Sequence, residues 1–246
     1  MSNIERFAAA PLADGGTHPD VWIRAVERLP RLDLAACPGI VVVAAHPDDE
    51  TLGFGATAAT LAAAGRAVRV VAVSDGGAAI PGLSARERSR LEGRRRDELT
   101  CAMDVLGLPP PVCVGLPDGE LAAHETRLAG LLAEQLADRP TGTWCAATWR
   151  GDGHPDHEAV GRAAATAAAA TGAVLVEYPV WMWHWASPPD PAVPWRRAAA
   201  VPLTASAVER KARAARRFRS QLDGPDAVVP PDALRRLLAV GEVVFR

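Results

Sequence analysis

Lysine is all but missing from this chain. Lys211 is the only one among 27 basic side chains, and 29 acidic residues leave a formal charge of −2. With no basic excess and no basic block, a nucleic-acid partner is not expected. Cysteine is also scarce. Cys37, Cys101, Cys113 and Cys145 show no CxxC spacing, which argues against a disulfide framework and reads as small buried hydrophobes in a reducing compartment. Long apolar runs are absent as well. The alanine-rich stretch from Ala163 to Ala170 is interrupted by Thr166 and is too short to span a bilayer. The opening MSNIERFAAAPLADGG lacks the unbroken apolar segment of a secretory leader. Together these gaps lead to the expectation of a cytoplasmic protein with neither a membrane nor a nucleic-acid partner; a homo-oligomer is compatible with all of them.

What is present is apolar enough for a large core: 246 residues, 49% of them hydrophobic, the size of one α/β domain. The stretch GIVVVAAHPDDETLG, Gly39 to Gly53, is the strongest local signal. Its β-branched run from Ile40 to Val43, bounded by Gly39 and Pro47, reads as a strand buried on both faces. His46, Asp48, Asp49 and Glu50 follow at the handover to a small-residue helix, the end of an α/β sheet where ligands bind. Pro47 keeps His46 extended. His46 and Asp49 can then converge on one point while Asp48 aims elsewhere. Imidazole with carboxylate is a common zinc ligand pair, and a further carboxylate beside it is what a general base requires. The plainer reading is a helix start, with Asp48 or Asp49 as N-cap and Glu50 favouring the dipole.

The rest of the chain alternates strand and helix. Residues 1 to about 17 read as a loose arm, and Pro19 to Leu29 as a short helix with Trp22, Val26 and Leu29 on one face. Strands are expected at Ala67–Ser74, Pro111–Leu116, Thr143–Trp149 and Ala173–Tyr178, and helices at Ser84–Gly107, Glu125–Ala137 and His157–Thr171. The pattern is that of a parallel sheet covered on both faces. The expected fold class is therefore α/β: a Rossmann-like, mostly parallel sheet with helices on both faces, plus a smaller C-terminal α+β extension. Residues 1–246 then form a single domain, divided into an N-terminal arm and helix (1–38), a core (39–180) and an extension (181–246). Within the extension, Trp181, Trp183 and Trp185 would share one face of an extended segment. Val193–Leu203 would be a strand, Thr204–Gln221 a basic helix, Pro231–Val240 a short helix, and Glu242–Phe245 a last strand.

His154-Pro155-Asp156-His157 follows the fourth strand as His46 follows the first. One of its two histidines could complete a metal site with His46 and Asp49, leaving an open position; the other would face the substrate, oriented by Asp156. Asp75 and Asp118 also end strands, where they could meet sugar hydroxyls or simply form Asp-Gly turns.

The pairing of His46-Pro47-Asp48-Asp49-Glu50 with His154-Pro155-Asp156-His157, about a hundred residues on, resembles the PIG-L/LmbE family of metal-dependent N-acetylglucosaminyl deacetylases. The resemblance extends to Arg94-Arg95-Arg96-Asp97-Glu98 with Leu106-Gly107, to Leu116-Pro117-Asp118-Gly119 and to Tyr178-Pro179-Val180-Trp181, covering about Gly39 to Trp185. It implies one zinc per chain, with Fe2+ or Co2+ using the same donors, held by His46, Asp49 and His157. It implies Asp48 as general base, and His154 as the group stabilising the oxyanion, supported by Asp156. The implied substrate is a small N-acetyl sugar conjugate whose acetyl group is hydrolysed off; separately, Asp75, Asp118 and Arg95 are expected to contact it.

Three rivals stay open. Gly53-Phe54-Gly55-Ala56-Thr57-Ala58 with Asp75 resembles a dinucleotide fingerprint, although the glycines begin late after the strand. A metal-stabilised scaffold without activity is the second rival, and an amidase or esterase acting on a different acyl group is the third.

Overall fold

β-branched side chains pack well on a pleated surface, and Ile40–Val43 lie in the middle of a sheet. The computed structural model describes residues 1–224 and 227–246. Two short helices come first, α1 (Asn3–Ala8) and α2 (Pro19–Val26). The core then runs β1 (Gly39–Ala44), α3 (Asp49–Ala63), β2 (Ala67–Ser74), α4 (Ala85–Leu106), β3 (Val112–Leu116), α5 (Glu125–Ala137), β4 (Trp144–Thr148), α6 (Pro155–Thr171) and β5 (Val174–Tyr178). The remainder is α7 (Met182–Trp185), β6 (Ala198–Ala200), α8 (Ala205–Ala215), α9 (Arg219–Leu222), α10 (Pro231–Ala239) and β7 (Val243–Phe245). This is the expected mostly parallel α/β sheet.

The strand order is β3-β2-β1-β4-β5-β7-β6. The first five strands are parallel, while β7 is antiparallel to both β5 and β6. The extension therefore completes the same sheet. Successive residues of β1 serve opposite layers, as strand geometry requires. Ile40 and Val42 join a core with Phe54, Leu61, Leu99 and Met103. Val41 and Val43 join another with Leu128, Leu132, Ala163 and Ala167. Strand order reverses between β1 and β4, and beyond the carboxyl ends of such a pair the connecting loops diverge and leave a crevice. The two histidine-bearing segments follow those two strands.

Several boundaries differ from expectation. The first residues are not a loose arm: Ser2 and Glu5 form a reciprocal capping box that starts α1, the S-x-x-E signature of a helix N-terminus. The Trp181–Trp185 segment is one helical turn, because Asp152 gathers the backbone N–H groups of Val180, Trp181 and Met182 onto a single carboxylate. The three tryptophans consequently separate. Trp181 lines a cleft, Trp183 meets Trp22 edge-on at 5.0 Å, and the Trp185 indole donates to the Asp152 carbonyl at 2.7 Å. The basic helix stops at Ala215, since Phe218 is drawn into the core. The strand within Val193–Leu203 is only the three residues of β6. Cys37 and Cys145 are buried, but Cys101 and Cys113 are exposed.

Lys211 is buried against Glu242, with Nζ 3.0 Å from Oε1. The Glu242 carboxylate also accepts the N–H groups of Ala56 at 2.9 Å and Thr57 at 2.8 Å and the Thr57 hydroxyl. This cluster joins the extension to α3. Removing one partner of a buried pair leaves the other charge uncompensated, so Lys211→Met should cost about 3–5 kcal/mol in urea unfolding. Adding Glu242→Gln should restore part of that loss. A Lys211→Met protein with unchanged midpoint would show that the pair does not hold the extension in place.

Candidate active site

The turn after β1 is held in an unusual shape. Asp48 has φ +145° and ψ −29°, a region L residues rarely occupy and one that marks functional strain. Its N–H donates to the buried Glu50 carboxylate at 3.1 Å. The buried Arg95 guanidinium pins the turn from the other side, donating to the carbonyls of Pro47 at 2.9 Å and Gly76 at 3.1 Å. Arg95 Nη2 also lies 3.4 Å from Asp48 Oδ1. Gly76, at φ +70°, leaves no room for a Cβ beside that guanidinium.

Asp49 opens α3. Its Oδ2 accepts the His46 N–H at 2.8 Å and lies 3.4 Å from His46 Nδ1, while Oδ1 lies 3.2 Å from His157 Nε2. The three histidine rings cluster: centroids are 5.3 Å apart for His46 and His157, 5.0 Å for His46 and His154, and 4.7 Å for His154 and His157. The two expected halves of the site therefore meet.

Each of two imidazoles is backed by carboxylate on one nitrogen and faces Asp49 with the other. His157 Nδ1 meets Asp152 Oδ2 at 2.8 Å. His46 Nε2 meets Asp118 Oδ1 at 3.0 Å and Asp156 Oδ2 at 3.3 Å. Asp156 also accepts the N–H groups of Gly119 at 2.8 Å and Leu121 at 3.1 Å. His154 is different. It caps α6, its Nδ1 accepting the Asp156 N–H at 3.2 Å, so the ring proton sits on Nε2.

The charges follow from these contacts. Burial pulls His157 down, but Asp49 and Asp152 more than offset it and raise it to about 9. His46, opposed by burial in the same way, is raised well above the ordinary range by Asp118, Asp156 and Asp49. Burial alone dominates at His154, and with His157 and His46 beside it the ring falls to about 3 and stays neutral. Burial also lifts the Asp48 carboxyl, against the pull of Arg95, to about 7. Asp49 is held well below the usual carboxylate range because the two imidazoles outweigh its burial.

These side chains floor a cleft of about 310 Å³. His46, Asp48, Asp49, Arg95, Asp118 and His154 reach it, and Phe7, Leu12, Leu52, Trp181, Val228 and Val229 wall it. Asp75 does not line this cleft, and its Oδ2 pairs with Arg96. The Asp156 carboxylate does not support His154, because the Gly119 and Leu121 amides and His46 use it. The dinucleotide reading also fails. Gly53 and Gly55 lie inside α3 rather than in a strand-to-helix turn, and a Cβ at Gly53 would strike the Tyr178 ring.

Asp152 escaped the sequence reading. Its signal was present in Gly151-Asp152-Gly153, five residues before His157, but three of its acceptor contacts are to the chain near residue 181, far away in sequence. Phe7 was hidden by the same distance.

The donor set fits a divalent metal. His157 Nε2 is buried and has no hydrogen-bond partner among the described residues, although its ring is fixed from behind by a carboxylate, the arrangement that orients metal-binding histidines. His46, His154 and His157 present nitrogens within 4.8 Å of one another, and Asp49 lies between two of them. Imidazole and carboxylate together suit zinc, and iron or cobalt equally.

A parallel sheet with an acid- and histidine-lined cleft at its switch point defines a class of metal-site α/β proteins, and comparison with known proteins makes it specific. The chain belongs to the PIG-L family: residues 41–168 match the family described as GlcNAc-PI de-N-acetylase. It is similar to the 1D-myo-inositol 2-acetamido-2-deoxy-alpha-D-glucopyranoside deacetylase of Mycobacterium avium (strain 104), 41% identical over 88 residues, 33% of this chain and 29% of that one. The protein of the same name from Mycobacterium sp. (strain KMS) is 36% identical over 143 residues, 49% of this chain and 46% of the relative. The chain thus spans less than half the length of these relatives. In fold it is similar to the N,N'-diacetylchitobiose deacetylase of Pyrococcus horikoshii, with TM-score 0.60 at 20% identity over 83% of this chain and 78% of that one.

Asp152→Asn keeps the shape but removes the anion behind His157. Zinc affinity, measured against a competing chelator, should fall about 10–100-fold with the circular dichroism spectrum unchanged. Undiminished affinity would detach Asp152 from the metal site.

Proposed function

We propose that this chain is a metal-dependent hydrolase that removes the acetyl group from the N-acetyl amine of an N-acetylglucosaminyl-type small molecule. The observation that carries the reading is the orphaned His157 Nε2, turned with His46 Nδ1 towards Asp49 at the floor of the cleft. His46, Asp49 and His157 would hold one zinc ion, with Fe2+ or Co2+ as alternatives of the same donor preference. When bound, the metal supplies Lewis acidity towards a carbonyl oxygen and acidifies water.

The chain's own groups do the rest. Asp48, poised near 7 by burial, takes a proton from the attacking water, the task for which a base near neutrality is best suited. The neutral His154 offers its Nε2–H to the acetyl oxygen as that oxygen gains negative charge; a donor fixed in a poorly solvated site stabilises such charge strongly. Asp48 then returns the proton to the nitrogen as the C–N bond breaks, releasing acetate and the free amine. Asp118 and Arg95 border the space left for the sugar. Asp156 serves through His46 rather than through His154. The cytoplasm suits this activity, since all four cysteines are free thiols. No helix among the described residues is long and apolar enough to cross a membrane.

Asp48→Asn should keep its metal and lose about 10²–10⁴ in kcat, read as acetate released from N-acetylglucosaminyl conjugates screened by mass. Full activity in that variant would remove Asp48 from the reaction. Asp49→Ala should purify with little metal; normal content by elemental analysis would break the ligand assignment.

A further inference from the structure

The cleft's floor is polar and its upper walls are not. One wall comes from α1 and the turn after it, through Phe7 and Leu12; another comes from the extension, through Val228 and Val229. Both are fixed in place. Phe7 stacks on Trp181 at 5.2 Å, Asn3 donates to the Gly151 carbonyl at 2.8 Å, and Arg6 pairs with Asp190 at 2.9 Å. The Val229 N–H donates to the Gln221 carbonyl at 3.0 Å.

Gln221 lines the same cleft and is only 1% exposed. Its amide orientation is determined by a relay. The Ser220 hydroxyl donates to Glu98 Oε2 at 2.5 Å, so towards Gln221 it can only accept, and Gln221 Nε2 donates to it at 3.0 Å. Gln221 Oε1 is therefore the free end, and among the described residues it has no hydrogen-bond donor. A buried amide oxygen without a donor is costly, and a ligand that brings one relieves that cost. Two of the floor's polar groups are already engaged: Arg95 by the carbonyls of Pro47 and Gly76, Asp118 by His46 and the Ala78 N–H.

We propose that the sugar bound here carries an apolar substituent with one hydrogen-bond donor, the apolar face packing on Phe7, Leu12, Val228 and Val229 and the donor meeting Gln221 Oε1. The inference rests on the deacetylase reading in that it places the acetamido sugar on the polar floor. A polyhydroxylated substituent fits poorly, because each hydroxyl stripped of water would find apolar walls and a single acceptor.

Calorimetric titration separates binding from turnover. The full chain is titrated with three N-acetylglucosaminides: 4-aminophenyl, phenyl, and an inositol conjugate. The aminophenyl compound should bind about tenfold more tightly than the phenyl one, the worth of one buried hydrogen bond, and the phenyl one about tenfold more tightly than the inositol conjugate, from apolar burial. Gln221→Leu should erase the first gap. Phe7→Ala, in a half-buried position that tolerates truncation, should narrow the second about fivefold and covers the case where Gln221→Leu misfolds. Equal or tighter binding of the inositol conjugate, or an aminophenyl preference that survives in folded Gln221→Leu, would overturn the proposal. Acetate release is read from the same mixtures. Its absence with the binding order intact would overturn the deacetylase reading and leave the assignment of the walls standing.

Discussion

Negative charge buried at the end of a parallel sheet is the constraint on which the rest of this molecule depends. Asp48, Asp49, Asp152 and Asp156 are all buried near one point. Isolated carboxylates in such a place would be prohibitively costly. The surroundings offset that cost in graded ways. Backbone amides from two separate segments converge on Asp152 and Asp156. Imidazoles bridge Asp49 to the acids behind them. Arg95 stands against Asp48. What remains after this compensation is an excess of anionic character around the cleft, which suits a divalent cation.

Much of this was legible in the chain because it is local. The strand leading to His46 and the helix beginning at Asp49 are written in adjacent residues, and so is the cap-and-helix grammar of Ser84 to Gly107. Pairing two such ends required only the alternation of strands and helices, from which a parallel sheet and its reactive rim follow. The bounds of α5 coincide with the amphipathic pattern in Glu125–Ala137, because nothing tertiary overrides that stripe of leucines.

The parts that were not legible are those decided across long separations. Asp152 takes its importance from residues near 181, Phe7 from the same segment, and Lys211 from a glutamate just before β7. A tryptophan at every second position suggests an extended chain when read alone. One carboxylate collecting three consecutive amides curls it into a turn instead. Asp75 and Asp118 look alike in sequence, each an acid before glycine after a strand. They part company because Arg96 is within reach of the first and His46 of the second.

The backbone at Asp48 carries a thermodynamic cost. A side chain held at φ +145° raises the energy of the folded state, and glycine at that position would relax it. Selection for heat tolerance alone would therefore favour discarding this carboxylate, so the residue and the tolerance pull in opposite directions. A lineage that had lost its chemistry should drift towards glycine at this position while keeping the sheet beneath it intact.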